Sequence, residues 1–281
     1  MTDRVLELLR SRPELAALAE FPFNFDIGRA YHVEEVHLAS GASLEAIAGD
    51  DTGGTYFLCG GTAVLHASSD GYASLLADSV GEALEMLVRL PAWCEDITYG
   101  MDEQALLAAV REGDDEAREQ FAPDLDAQRA ALIHGLGLPD RPLADLLARS
   151  ESATRRTDPN YVLLNSAELR AYQLEESYRP DLRALVGEPG QGGEDPPAEA
   201  LGGLPPESPF TWIERARRQG HVEHARIALI RMLDEAGPAR EPLRRIAEAL
   251  EGVGDHAQAA RARSYLGSPG GARPAEPSGS A

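Results

Sequence analysis

Residues Ser43–Leu87, SLEAIAGDDTGGTYFLCGGTAVLHASSDGYASLLADSVGEALEML, decide the fold of this chain. Leu44, Ala46 and Ala48 alternate with Glu45 before the chain turns through Asp50-Asp51-Thr52-Gly53-Gly54. Thr55-Tyr56-Phe57-Leu58 is a β-rich run stopped by Gly60-Gly61, and Thr62-Ala63-Val64-Leu65-His66 is the next. Asp70-Gly71 is a hairpin signal before Tyr72–Leu76. Short strands joined by tight turns pair with their sequence neighbours, which predicts one antiparallel layer. Ser79 is a good N-cap, and Glu82 three residues on completes a capping box. Val80, Ala83, Leu84, Leu87 and Val88 then share one helical face that lies across the strands. The expected fold class is α+β: an antiparallel β-meander covered by helices, then an α-helical extension and a C-terminal region of helical-repeat type.

This stretch resembles the SUKH superfamily. The resemblance rests on the acidic, Gly-rich turn Ala48-Gly49-Asp50-Asp51-Thr52-Gly53-Gly54, on Tyr56 and Leu58 in the following strand, and on Gly61 and Val64 in the next. Ala77-Asp78-Ser79 opens the closing helix, with Glu82, Leu84 and Leu87 behind it. Two features depart from the pattern: Val80 stands where the family has an aromatic residue, and Phe21–Gly28 lacks the Leu-Pro pair and Asn-Gly turn. The resemblance implies a non-enzymatic bacterial immunity protein that binds a cognate toxin, frequently a nuclease, and blocks it. The family also contains regulatory and scaffold members that bind partners with no toxin, and that alternative stays open.

Upstream, Thr2 is placed to cap a helix carrying Val5, Leu6, Leu8 and Leu9; Arg12-Pro13 interrupts it, and Glu14–Glu20 supplies a second. Phe21–Ile27 gathers three of the six phenylalanines, read as packing against the sheet. Tyr31–Leu38 reads as a strand. Downstream of residue 100, helices are expected over Glu103–Glu112 with Asp102 as cap, over Asp124–Leu138 closed by Gly137, and after Pro142 at the first helical position. Tyr161–Leu164 is read as an extra strand added to the sheet, and Ser166 as the cap of a helix reaching Tyr178.

Residues 187–209 are dominated by Gly, Pro and Glu and are expected to form a disordered linker; residues 267–281 are expected to form a tail of the same kind. Between them, residues 210–266 contain a repeat. Gly220 and Gly254 are 34 residues apart, and each precedes an alanine, Ala225 or Ala259, by five. That period and offset resemble the tetratricopeptide unit, in which Gly turns between two helices and the small Ala lets them pack closely. Leu229, Leu243, Ala247 and Leu250 fit its core positions, whereas Arg263 replaces a core aromatic and Pro238 is one residue off register. The expected organisation is thus an α+β domain over 1–100, a helical extension over 101–186, the linker, the helical pair and the tail.

All 26 basic residues are arginine, and the net charge of −21 is uneven: about −11 over residues 1–100, −12 over 101–207 and +2 over 208–281. An acidic front repels nucleic acid and favours fast association with a basic protein. No apolar run is long enough to span a bilayer and the first residues lack a secretory h-region, so a cytoplasmic protein without membrane contact is expected. No catalytic, cofactor or metal pattern emerges. His221-x-x-His224 lacks a third ligand at supporting spacing, and Asp50–Gly54 lacks the alternating oxygens of a calcium loop. Cys94 lies among acids that oppose a thiolate. The candidate partner-binding residues are Asp50, Asp51 and Asp70, as exposed acids at the sheet turns facing a basic toxin domain, with Trp93 as an apolar anchor.

Overall fold

The computed structural model describes residues 3–92, 94, 97–167, 170–174, 209–218, 220, 222–236 and 240–267. The chain divides into two compact units, Met1–Ser166 with Tyr172–Glu175, and Ala167–Ala171 with Glu176–Ala281. The helices of the expected extension therefore belong, as far as residue 166, to the same unit as the sheet. The expected linker lies outside the described residues except for Pro209, which opens a helix, and the expected tail lies outside them except for Gly267.

The meander is present. Strands β2 (Leu44–Gly49), β3 (Thr55–Cys59), β4 (Ala63–Ala67) and β5 (Ala73–Ala77) pair antiparallel in sequence order, with a bulge between Ala46 and Ala48. Every residue of β3 is buried because both sheet faces are covered. Tyr56 and Leu58 point to one face, with Ile47, Val64 and Ala77, against helices α1 (Arg4–Ser11), α2 (Pro13–Glu20), α3 (Val80–Arg89) and α5 (Leu125–Leu136). Phe57 and Cys59 point to the other, with Leu65 and Leu75, against Leu38, Ala153, Leu163 and Tyr172. Burial of each large side chain here contributes about 1.5–3 kcal/mol. Phe23 and Phe25 join the first face as expected, while Phe21 stays exposed with its ring edge-on to Phe121.

Helix ends follow local chemistry. Asp3, one residue beyond the expected Thr2, caps α1 by accepting from the N–H groups of Val5 and Leu6. Ser79 Oγ accepts from Glu82 N–H, but the Glu82 carboxylate does not complete the box: it turns to Arg149 at 3.3 Å. Asp102 caps α4 (Glu103–Gln120), Gly137 closes α5 in the left-handed region, and Pro142 precedes α6 (Leu143–Arg155) as its cap rather than its first residue. Two buried carboxylates fasten these helices together. Glu85 of α3 accepts from the Arg141 backbone and pairs with its guanidinium, and Asp114 of α4 takes both terminal nitrogens of Arg129 at 2.7 Å.

Two expectations after α6 fail for one physical reason. The free edge of β5 is already occupied: Leu75 N–H donates to Thr157 Oγ1 at 2.9 Å, the Thr154 hydroxyl donates to Leu75 O, and Ala73 N–H donates to Gln173 O at 2.8 Å. The extra strand β6 (Leu163–Asn165) therefore pairs with β1 (Val36–Leu38) in a separate two-stranded sheet. The expected Tyr31–Leu38 strand is confined to that short β1. Residues 170–174 are extended rather than helical, because Tyr172 N–H donates to Leu163 O and Gln173 pairs parallel with Tyr72; residues 168–169 and 175–178 of the expected helix lie outside the described residues.

In the second unit, α8 (Pro209–Arg218) and α9 (Val222–Glu235) form one hairpin, and α10 (Arg240–Gly252) and α11 (His256–Gly267) another; a short α7 (Thr157–Asn160) precedes them in the first unit. Gly220 and Gly254 both turn with positive φ, 84° and 86°, and Ala225 and Ala259 are both fully buried. Arg263 does not enter the core; it faces outward to Glu251 at 2.6 Å, and Ala262 takes the inward position. Pro238 lies outside the described residues.

Candidate functional site

Strand polarity brings the β2–β3 turn (50–54) and the β4–β5 turn (68–71) to the same end of the sheet. The two turns touch: a Cβ placed on Gly53 would lie 3.6 Å from Ser69 Cβ. Asp51 and Asp70 are exposed on these neighbouring turns, as the sequence reading expected.

Asp50 is different. It is only 7% exposed, so its expected role as a surface acid is corrected. Its Oδ1 accepts from Thr52 N–H at 2.9 Å, the Thr52 hydroxyl at 2.8 Å and Gly54 N–H at 2.7 Å. Its Oδ2 faces His66 Nε2 at 2.8 Å. A short carboxylate two and four residues before those donors closes the turn on itself. Burial alone would raise the Asp50 pKa, but the bonds from His66, Thr52 and Gly54 outweigh it and hold the carboxyl well below the usual carboxylate range. The Tyr56 ring covers His66 at 4.7 Å, and burial, reinforced by Asp50 and Asp51, pushes its phenol far up. With its lone pairs taken by the turn and the imidazole, Asp50 is a clamp and not a base. Trp93 lies outside the described residues.

A third segment completes this end and was not anticipated. The loop from Ile27 to Glu35 leans on β2: Arg29 donates to Asp50 O at 3.0 Å and pairs with Asp26 at 3.2 Å, and a Cβ on Gly49 would fall 2.8 Å from Arg29 Cβ. His32 is anchored between Thr55 Oγ1 and Tyr172 OH, each at 2.9 Å, and Tyr172 donates in turn to Glu34. Anchoring His32 inward turns its neighbours out, leaving Tyr31 65% and Val33 89% exposed. Glu34 and Glu35 are exposed beside them. The sequence signal that was available is the poor alternation of Tyr31–Glu35, which a half-buried strand would not tolerate.

Among the described residues no group of three or more His, Cys, Asp or Glu is placed to hold a metal ion. His221 lies outside the described residues, and His224 is exposed on α9. Burial pushes the thiols of Cys59 and Cys94 up to about 12, with Asp114 adding to the effect at Cys94. No helix among the described residues is long and apolar enough to cross a membrane. In comparisons with known proteins, no family model, curated protein or solved structure matches the chain.

Proposed function

We propose that this chain is a non-enzymatic binding protein that uses the turn end of its sheet to dock a basic protein partner, and that the partner is a toxin domain it neutralises. The observation that carries the docking reading is the exposure of Tyr31 and Val33 on a loop held by hydrogen bonds, next to turns bearing Asp51 and Asp70. Exposed apolar groups on a stiff support bind with little ordering cost, and surrounding acids steer a cationic surface into register. The toxin assignment draws its support from the likeness to the SUKH superfamily and from the net charge of −21, which suits a cleft built for phosphate.

The test uses any basic protein found encoded beside this chain, assayed for nuclease activity. Titration calorimetry should give a one-to-one complex, nuclease activity should fall in proportion to occupancy, and Tyr31→Ala should weaken both. Failure of every adjacent basic protein to bind would overturn the toxin reading. Binding that Tyr31→Ala, Val33→Ala and Asp51→Asn all leave unchanged would overturn the site.

A further inference from the structure

We propose that His32 is a proton-operated relay that decides whether the Tyr31 carbonyl is gripped. Its Nδ1 faces Thr55 Oγ1 and its Nε2 faces Tyr172 OH, both at 2.9 Å. Tyr172 gives its single hydroxyl hydrogen to the Glu34 carboxylate. Its oxygen therefore meets His32 as an acceptor, and Nε2 carries the ring's hydrogen. In the neutral imidazole Nδ1 is then a lone pair, and Thr55 donates its hydroxyl hydrogen to it.

Thr55 has a second acceptor within reach, the Tyr31 carbonyl at 3.3 Å. When Nδ1 takes up a proton from solvent, the new N–H donates to Thr55 Oγ1, and the hydroxyl hydrogen swings to Tyr31 O. No heavy atom has to move. Both ring nitrogens and the Thr55 hydroxyl keep a partner in both states, only the Tyr31 carbonyl gains or loses one, and the charge gained on the ring is countered by Glu34 through Tyr172. The other groups against the ring carry no charge: Phe57 meets it edge-on at 5.2 Å and the Tyr172 ring lies 6.0 Å away. Burial holds the imidazole pKa below its usual value, with Glu34 acting in the opposite sense. The ring is thus neutral at pH 7, and the relay switches below the ordinary histidine pKa of about 6.5. Mild acid then fastens the backbone of an exposed aromatic residue and adds a positive charge to an acidic face. This holds whatever binds there.

The experiment is an NMR titration of the full chain between pH 7.5 and 5, with histidine-selective nitrogen labelling and the His32→Gln variant for assignment. The expected result at pH 7.5 is the Nε2–H tautomer of His32. On acidification, the Tyr31 carbonyl carbon should shift along the same curve as the His32 ring. Thr55→Val should leave the ring titrating but abolish the carbonyl response, and Thr55→Ser should retain it. An Nδ1–H tautomer at pH 7.5 in the unmodified chain would overturn the relay without need of any variant. So would a Tyr31 carbonyl that ignores His32 titration, or one that still follows it in Thr55→Val.

Discussion

Asp50 reaches across the sheet to His66, its Oδ2 lying 2.8 Å from Nε2, while its Oδ1 gathers three donors of its own turn. The pair fills the space in which Gly54 would carry a side chain: a Cβ there would fall on Asp50 Oδ2, 2.7 Å from His66 Nε2 and 3.0 Å from Ala67 O. Glycine at 54 is thus required by a close approach, and the acidic Gly-rich turn is a structural knot beneath the proposed docking surface.

Replacing Asp50 by Ala leaves the buried Gly54 N–H without its acceptor and should cost about 1–3 kcal/mol, read as a lower urea midpoint. The sign with pH follows from the depressed folded-state pKa of Asp50. Its contribution is fully present above the unfolded value of about 3.9 and is lost as pH falls below it. The gap between the parent and Asp50→Ala should therefore be wide at pH 7 and should narrow steadily below pH 4. A gap that stays constant with pH would contradict the clamp.

How much of this was legible depends on the range of the interaction concerned. The four strands and the α3 helix were read within a residue or two, because alternation, Gly-rich turns and a Ser cap act locally. Residues 170–174 are extended where a helix is expected, because their conformation is set by pairing with Leu163 and Tyr72, far away in sequence. The site divides in the same way. Asp51 and Asp70 were found from turn chemistry, whereas the burial of Asp50 depends on a histidine 16 residues on. The outward pose of Tyr31 and Val33 depends on Tyr172, 140 residues from His32. Only the Asp-x-Thr-x-Gly spacing of 50–54 hinted in advance that this acid serves its own turn.

The Asp114–Arg129 clamp gives a second test of what holds the first unit together. Arg129 donates two bonds to the carboxylate and a third from Nε to Val88 O at 2.9 Å, and both side chains are largely out of water. Asp114→Ala leaves the guanidinium only Val88 O and, at 3.9 Å, the exposed Asp126, and should cost about 3 kcal/mol. Replacing both partners, Asp114→Leu with Arg129→Met, should recover most of that loss, because the charge and its unmet demand leave together. Denaturant unfolding of the two variants decides it; a double variant no better than the single one would argue against the clamp.

At the proposed docking surface, Tyr31→Ala and Val33→Ala remove side chains that are mostly in solvent, so stability should change by less than about 0.5 kcal/mol. If Tyr31 anchors the partner, its loss should cost about 2 kcal/mol or more of binding. Asp51→Asn with Asp70→Asn should act differently, slowing association and flattening its dependence on salt with little change in dissociation. Surface plasmon resonance at two ionic strengths separates the two effects. Equal losses in dissociation rate from the apolar and acidic variants would contradict this division of labour.

The helical unit offers a test of the repeat reading that needs no partner. Ala225 and Ala259 each follow a positive-φ glycine by five residues and are each fully buried where two helices of a hairpin close on one another. A larger side chain at either position has to force the helices apart, so Ala259→Leu should destabilise the unit by about 1–3 kcal/mol, and Ala225→Leu by a similar amount. The damage should be local, since α10 and α11 belong to a different compact unit from the sheet. Hydrogen exchange should accordingly speed up across Arg240–Gly252 and His256–Gly267 in Ala259→Leu, while the amides of Thr55–Cys59 keep their protection. If the strand amides lose protection to the same degree, the two units unfold as one and the helical pair is not an independent module. If leucine is accepted at both positions without change, the alanines are not spacing the helices, and the tetratricopeptide likeness loses its physical basis.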